Sequence, residues 1–453
     1  MSKKTIKGIT KIAVKGFKSI AEECAIDIRP LTILAGANSS GKSSIMQPLL
    51  MLKQTLEAPY DPGPLLIDGP NVQFTLADQF LSKLTNKKES GRFQIQIETF
   101  GPDLSIAVTT IFQKSLNEIE IVEMATEMKS SEHPSFPIHF VLYPEMSVEE
   151  CKSLAAQNWI STYPDLPTEA LEKLKSLVDP DSMSKDSDIV KRSRCFLRFE
   201  TQEGDIGFDF AIPAKYNVFN SIHLPGLRGN PERIYKLTST GPRYPGTFEN
   251  YAASIIHKWQ EMGDKRLKKV VDALHTLGLT WKIGTEKISD VGIELQVGRL
   301  PRGSNDDTDL VNIADVGFGV SQVLPVVVAL TAAEEEQLVY LEQPELHLHP
   351  RAQVALAQVL ADAAKRGVRV VTETHSSLLL LGVQTLVAEG KLSPDLVKLH
   401  WFTRREDGVT EVASADLDEA GAYGEWPEDF ADVSLHAQSG YIKAARSRFI
   451  EGR

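Results

Sequence analysis

The sequence predicts an α/β fold with a mostly parallel sheet covered by helices, an antiparallel β subdomain and an inserted helical region. A compact apolar run at 31–35 leads through a Gly/Ser-rich turn into helical spacing at 45–56, which indicates a buried strand followed by a helix. Two strand-like segments, 93–113 and 117–125, indicate the β subdomain. Beyond residue 310, helical and strand-like stretches alternate, and this order predicts parallel strands joined by helices.

The segments after the β subdomain follow in a definite order. Residues 147–194 are charged and helical in pattern, strands return at 195–212, and a second helical stretch covers 248–277. A Gly/Asn/Asp-rich loop at 301–309 comes next. The alternating part then predicts a helical stretch at 311–333, with an apolar helix at 323–330 within it, a strand at 337–341, a helix at 350–365 and a strand at 368–372.

These patterns divide the chain into two lobes with an insertion between them. We expect a first lobe at 1–145, an inserted helical and strand region at 146–300, a second lobe at 301–410 and a C-terminal segment at 411–449. The last four residues, 450–453, read Ile-Glu-Gly-Arg and look like a protease-cleavage linker, so we leave them out of the fold prediction.

Composition excludes several classes of protein. The three cysteines, Cys24, Cys151 and Cys195, are far apart, which argues against a disulfide framework and predicts a reducing, cytoplasmic location. The longest apolar run, 323–333, is about half the length that spans a bilayer, so no membrane association is expected. A net charge of −12 argues against a surface that is basic all round, and any nucleic acid would have to meet a local patch.

The first chemical motif is a complete G-x-x-x-x-G-K-S loop between a predicted strand and a predicted helix. Its glycines let backbone N–H groups surround a β-phosphate at the helix N-terminus. Lys42 would reach the β- and γ-phosphates, and the Ser43 hydroxyl would ligate Mg²⁺. The sequence therefore predicts ATP and Mg²⁺ as ligands. The residues predicted to hold them here, called the phosphate loop below, are Gly36, Ala37, Asn38, Ser39, Ser40, Gly41, Lys42, Ser43 and Ser44.

The second motif is a hydrophobic strand that ends in a carboxylate. Glu342 stands where a nucleotide site needs an acid to hold the water shell of Mg²⁺, and we predict it as a metal and catalytic residue with Ser43. The next residue, Gln343, can position a water molecule but cannot accept its proton. Two alternatives follow: hydrolysis is slow, or another group such as Glu345 acts as the base.

Two further segments are predicted to meet the γ-phosphate. His375 follows a strand whose C-terminal edge would face the nucleotide, although a lone histidine is more often a structural hydrogen-bonding residue. The signature segment, 315–322, has small residues ahead of an apolar helix, which suits an anion presented by a second subunit or, alternatively, only a helix cap. Its predicted nucleotide-binding residues are Gly319, Ser321 and Gln322.

Other polar residues have less specific interpretations. A metal cluster of acids and histidines around Glu342 is disfavoured, because Leu346 and Leu348 alternate with the histidines and Pro350 starts a helix. Arg228 and Arg233 lie in a Gly/Pro-rich tract, where they either reach a phosphate or a partner carboxylate or hold a solvated turn.

Together these motifs resemble those of the ABC-type ATPases related to RecF, the SMC heads and the OLD proteins. The resemblance rests on the phosphate loop, on 342–350, E-Q-P-E-L-H-L-H-P, and on 373–376, E-T-H-S; it extends to 226–235 and 426–430. It implies a P-loop NTPase fold of the ABC-head type, an ABC signature in 318–322 and a switch histidine at His375. Those ATPases usually carry glutamate at the position of Gln343. The chain also looks similar to the ATPase subunits of two-component anti-phage systems such as PARIS and Septu.

The resemblance implies an ATPase that acts as a switch. We expect a head-to-head dimer or a higher even oligomer that closes on ATP and senses infection or scaffolds a separately encoded effector such as a nuclease. OLD proteins continue into a nuclease domain, and the stretch after His375 is too short for one. The alternative is a DNA-repair or chromosome-maintenance ATPase that binds duplex DNA; a transporter ATPase is disfavoured because the insertion is long.

Overall fold

A computed structural model describes the chain at 8–84, 91–101, 104–116, 118–130, 137–147, 150, 190–200, 207–299, 309–424, 439 and 442. Most of the predicted helical insertion at 147–194, the loop at 301–309 except its last residue, and most of the C-terminal segment, 426–430 included, lie outside the described residues.

The sheet that carries the predicted motifs has six strands and is mostly parallel. Its order is β11-β16-β17-β3-β18-β19, and only the edge strand β19 runs antiparallel to its neighbour. The strands are β3 (Leu31–Gly36), β11 (Ile222–Leu224), β16 (Leu338–Glu342), β17 (Arg369–Thr374), β18 (Val397–Arg404) and β19 (Thr410–Ala415). The predicted parallel sheet is therefore confirmed.

Alternating side chains of this sheet enter two different hydrophobic cores. On β17, Val370 joins one core and Val371 the other, and on β3 the same division separates Ile33 from Leu34. Both faces are thus buried, which explains why these strands read as continuous apolar runs. A buried sheet of this kind fixes the strand ends as a common edge, and the phosphate loop, Glu342 and His375 all follow that edge.

The β subdomain is an antiparallel six-stranded sheet with the order β2-β1-β4-β5-β6-β7. Its strands are β1 (Gly8–Lys15), β2 (Cys24–Asp27), β4 (Arg92–Phe100), β5 (Ser105–Lys114), β6 (Ile119–Lys129) and β7 (Ile138–Leu142). Smaller antiparallel sheets are formed by β8 (Val190–Ser193), β9 (Phe196–Glu200) and β10 (Gly207–Phe208), and by β12 (Tyr235–Lys236), β13 (Ile283–Ser289), β14 (Gly292–Gly298) and β15 (Leu310–Asn312).

Seven α-helices occur in the described part of the chain. They are α1 (Lys42–Glu57), α2 (Ile212–Phe219), α3 (Glu249–Glu261), α4 (Lys265–Thr276), α5 (Phe318–Ala332), α6 (Pro350–Lys365) and α7 (Ser377–Ala388). The helical bounds predicted for α6 are confirmed.

Three predicted boundaries were wrong, each for a local reason. The strand expected to reach residue 212 ends earlier, and Ile212 begins α2 with a proline in its first turn. The helix expected at 248–277 is two helices, because Gly263 adopts a left-handed φ of 61° between them. The helical stretch expected at 311–333 begins only at Phe318, because a strand, β15, and a short 3₁₀ turn occupy 310–315 before it.

In the described part of the chain, no helix combines the length and the apolar character needed to cross a membrane.

Candidate functional site

The phosphate loop joins the buried end of β3 to the first turn of α1. Gly41 precedes the helix with a φ of 108°, and Gly36 has a φ of 143°. A Cβ at Gly36 would lie 2.3 Å from the carbonyl oxygen of Phe402, and one at Gly41 would lie 2.5 Å from the hydroxyl of Thr410. Glycine is therefore required at both positions by conformation and by space, and the helix N-terminus of α1 faces the loop as an anion site requires.

Lys42 folds back over this loop. Its Nζ donates hydrogen bonds to the carbonyl oxygens of Gly36, at 3.0 Å, and Ala37, at 2.7 Å. Burial lowers the pKa of the ammonium, while the carboxylates of Glu373 and Glu345 act in the opposite direction. A cation is thus held against the loop where phosphate oxygens would bind.

Ser43 contacts an acid that sequence reasoning missed. Its hydroxyl donates to Oε2 of Glu373 at 2.8 Å, and the hydroxyl of Tyr340 donates to the other oxygen, Oε1. Burial, and then the charge of Glu342, raise the pKa of Glu373 to about 7. The one indication in the sequence was the position of Glu373, two residues before His375 on the same buried strand.

Glu342 lies beside Glu373, because β16 and β17 pair these two residues in register. Its Oε1 is 3.1 Å from Nε2 of His223, and its Oε2 accepts the backbone N–H of Gly226 at 3.2 Å. The second ring nitrogen of His223 is 3.1 Å from the side-chain oxygen of Asn71. Burial acts to raise the pKa of Glu342, but the bonds from His223 and Gly226 outweigh it and the pKa is lowered. Glu342 is therefore a fixed anion.

Gln343 is in a left-handed conformation, with a φ of 43°. Its backbone N–H donates to the carbonyl oxygen of Glu373 at 3.0 Å, which aligns the ends of the two strands. This turn brings Gln343 to the same cleft as Lys42.

Glu345 is placed behind the cleft. Its Oε1 accepts the hydroxyl of Thr374 at 2.6 Å and the backbone N–H of His375 at 3.1 Å. Its Oε2 is buried and has no hydrogen-bond partner among the described residues. Glu345 is not among the residues that line the cleft, and its observed contacts fix the backbone at Thr374 and His375.

His375 reaches the cleft from the end of β17. Burial and the charge of Lys42 lower the pKa of its imidazole, while a backbone hydrogen bond with Gly36 raises it. The ring is therefore neutral near pH 7 and adjoins the phosphate loop.

The phosphate loop from Asn38 onward, Gln343, Glu373 and His375 line a cleft of about 1120 Å³, whereas Glu342, like Glu345, is not among the lining residues. Three basic residues that sequence reasoning missed, Lys18, Lys83 and Arg404, also line it. Lys18 donates to Oε1 of Gln47 at 2.7 Å. The residues predicted for the site that line this cleft are Asn38, Ser39, Ser40, Gly41, Lys42, Ser43, Ser44, Gln343 and His375.

The signature segment lies elsewhere. Gly317 caps α5, Phe318 is half exposed in its first turn, and the Ser321 hydroxyl donates to the carbonyl oxygen of Phe318 at 3.0 Å. Gln322 is buried, and its amide donates to the carbonyl oxygen of Gly229 at 2.7 Å. Gly319, Ser321 and Gln322 do not line the cleft of their own chain.

Arg228 connects α5 to the end of β16. Its guanidinium donates to the carbonyl oxygens of Gln322 at 3.1 Å, Glu342 at 2.8 Å and Gln343 at 3.3 Å. Burial lowers its pKa to about 10, which leaves it charged at neutral pH. Arg233, by contrast, forms an exposed pair with Asp315.

The histidines near Glu342 form no metal cluster. His349 caps α6, where its Nδ1 accepts the backbone N–H of Arg351 at 3.3 Å, and the His347 ring lies 6.1 Å from that of Phe318. Among the described residues, no group of three or more acids, cysteines or histidines is arranged to hold a metal ion by itself.

Mg²⁺ fits the cleft as a partner of bound phosphate. The hydroxyl of Ser43 and the carboxylates of Glu342 and Glu373 are oxygen donors, the type that Mg²⁺ prefers in phosphate sites. Inside the loop, Oγ of Ser40 is buried and has no hydrogen-bond partner in the described part of the chain. A bound phosphate would supply one.

Two family models match the chain. Residues 8–210 match a family described as an AAA ATPase domain. Residues 185–381 match one described as an AAA domain, putative AbiEii toxin, type IV TA system. Each model covers less than half of the chain, and both describe ATPase domains, so the chain is an ATPase. Both ends of the site, the phosphate loop and the strand that leads to His375, fall within the matched residues, and the predicted ATPase class is confirmed.

Solved structures of SMC heads are similar to this ATPase at low sequence identity. An SmcHead bound to the C-winged helix domain of ScpA is 14% identical, with a TM-score of 0.45 over 91% of this chain and 99% of that chain. The head from Thermotoga maritima is 10% identical, with a TM-score of 0.39 over 90% and 98%. An Smc head with an extended coiled coil, bound to the C-terminal domain of ScpA derived from Pyrococcus furiosus, is 12% identical, with a TM-score of 0.43 over 97% and 99%. Curated proteins gave no match.

Proposed function

We propose that this ATPase is an anti-phage switch: two copies close on ATP and Mg²⁺, and the closed state holds or releases a separately encoded effector such as a nuclease. One observation carries the proposal. The cleft contains the phosphate loop, Gln343 and His375, whereas the signature segment of the same chain lies outside it. A triphosphate in this cleft would therefore meet a signature segment only if a second copy supplied it.

The chemistry of the signature segment suits that role. The N-terminus of α5 carries the positive end of a helix dipole, and Ser321 is in its first turn. Phe318, half exposed at the same place, gives the helix end an apolar contact for a partner chain. Closure would then cover the γ-phosphate with a helix end from the second copy.

ATP would be bound by residues of both chains. The loop amides and Lys42 would take up the phosphates, and His375 would contact the γ-phosphate as a neutral imidazole. Ser43 and Glu342 would hold Mg²⁺. Bound there, Mg²⁺ would supply positive charge to the phosphate oxygens during hydrolysis.

Slow turnover is the favoured mode of hydrolysis. Gln343 lines the cleft and can orient a water molecule without accepting its proton. Glu345, the alternative base, is bonded to Thr374 and to the backbone of His375, outside the cleft lining. A long-lived ATP state is what a switch requires, because the closed form must persist while it acts on a partner.

A role in defence is favoured over repair by the family description. The model that matches 185–381 names a putative toxin of a type IV TA system. The net charge of −12 also disfavours a surface that coats duplex DNA.

The decisive experiment is analytical ultracentrifugation with a non-hydrolysable ATP analogue and Mg²⁺. We expect the analogue to double the mass of the wild-type chain. Ser321→Arg should still bind the analogue through its own phosphate loop, more weakly than the wild type, and stay monomeric, because a bulky side chain on the first turn of α5 prevents closure. Ser393→Arg, an exposed serine outside the cleft and the signature segment, is the matched control and should dimerise.

Two results would contradict the proposal. A wild-type mass that does not change at saturating nucleotide would exclude ATP-driven pairing. Binding to duplex DNA that weakens steeply with salt would favour the repair alternative.

A further inference from the structure

Glu373 is the acid in direct contact with the phosphate loop. It is 2% exposed, faces α1 from the end of β17, and accepts the Ser43 hydroxyl at 2.8 Å. The hydroxyl of Tyr340, itself buried, donates to its second oxygen. Both oxygens are thus oriented by donors, and Glu373 also lines the cleft.

Glu342 has a different set of partners. Its two oxygens interact with His223 and with the backbone of Gly226, both on the β11 side of the sheet. The hydrogen bond from Ser43 goes to Glu373. A hydroxyl that ligates a metal through its oxygen keeps its hydrogen free to donate, so the observed contact with Glu373 is compatible with Ser43 as a Mg²⁺ ligand.

The two acids together need a compensating charge. Glu342 and Glu373 are register partners on adjacent parallel strands and point to the same face. Lys42 acts on Glu373 from the cleft but donates to loop carbonyls, and Arg228, the cation beside Glu342, donates to backbone carbonyls, so neither is bonded to a carboxylate of the pair. Placing two carboxylates side by side in a buried position is costly unless a cation joins them.

We propose that Glu373 is a carboxylate of the Mg²⁺ site, acting with Ser43 and beside Glu342 on the divalent cation that accompanies ATP. This inference rests on the proposed binding of ATP and adds an acid to the predicted set. Glu373 accepts the hydrogen bond of the serine ligand, Ser43, while Glu342 and His223 lie on the β11 side of the proposed site.

The test measures metal binding directly, with Mn²⁺ as the probe. Electron paramagnetic resonance gives the affinity of Mn²⁺ for the complex of the full chain with the ATP analogue. Glu373→Gln should lower that affinity by about 10- to 100-fold, the usual cost of removing a partner of a metal ligand. ATP affinity measured in EDTA should not fall, because the loop and Lys42 are intact.

Glu335→Gln is the matched control. It removes the same charge from an exposed residue just before β16, at the opposite end of the strand from Glu342, and should leave the Mn²⁺ affinity unchanged. If Glu373→Gln fails to fold, Glu373→Asp keeps the charge but withdraws it from Ser43 by one methylene. It should also weaken Mn²⁺ binding.

The outcomes separate the two proposals. A wild-type chain that binds no ATP analogue would remove the proposed function itself. A wild-type chain that binds both the analogue and Mn²⁺, with the same Mn²⁺ affinity in the Glu373 variants, would overturn only the role of Glu373.

Discussion

The phosphate loop and the signature segment bring polar groups to a ligand in different ways. The loop is one short stretch between β3 and α1, and it lines the cleft together with Gln343 and His375. The signature segment is also the start of a helix, but it lies outside that cleft and is tied to the rest of its own chain through Gln322.

The difference concerns what each part needs in order to act. The loop needs only its local conformation, which two glycines in left-handed φ permit. The signature segment does not line the cleft of its own chain, and in the proposed function it acts on the nucleotide of a second copy. Arg228 connects the two parts, since its guanidinium bonds to the carbonyl oxygens of Gln322, Glu342 and Gln343. Movement of the signature helix would therefore reach the end of β16 directly.

The largest expected effect tests whether the phosphate loop and Lys42 hold the triphosphate. Lys42→Ala should weaken ATP binding by roughly 1000-fold, because it removes a charged partner of the phosphates from a buried site. Isothermal titration calorimetry measures the change. Lys391→Ala, which removes an exposed lysine paired with Glu389, is the control and should bind normally. Retained affinity in Lys42→Ala would mean that the loop does not hold the triphosphate.

A smaller effect tests the connection between the two parts. Arg228→Met should lower the free energy of unfolding by about 3 kcal/mol, because three backbone carbonyls lose a buried charged donor. Urea denaturation gives the value. Arg233→Met removes an exposed ion pair with Asp315 and should cost less than about 1 kcal/mol. Equal losses in the two variants would show that Arg228 does not join these elements.

The smallest effect concerns the rate of ATP hydrolysis. Gln343→Glu should raise the rate of ATP hydrolysis by roughly 10-fold, since a carboxylate at this point of the cleft can accept a proton from water. Single-turnover phosphate release measures the rate. Gln343→Asn keeps an amide and should not raise it. An unchanged rate in Gln343→Glu would place the base on another residue.

The sequence predicted the elements whose conformation depends on residues that are close together along the chain. A strand, a glycine-bounded loop and a helix occur in one stretch, so the phosphate loop was readable, and α6 was predicted with its observed bounds. The break between α3 and α4 was not predicted. The helical sequence pattern continues across Gly263, although the backbone turns there.

The amino-acid sequence by itself determined the phosphate loop, the buried strands and the residues at their ends, because each follows from composition and spacing within a few residues. Only the tertiary structure decided which of those ends meet. The contact of Ser43 with Glu373, the fixing of Glu342 by His223, and the position of Glu345 behind His375 join residues that are 29 to 330 positions apart. These contacts depend on strand order and register, which non-local packing sets.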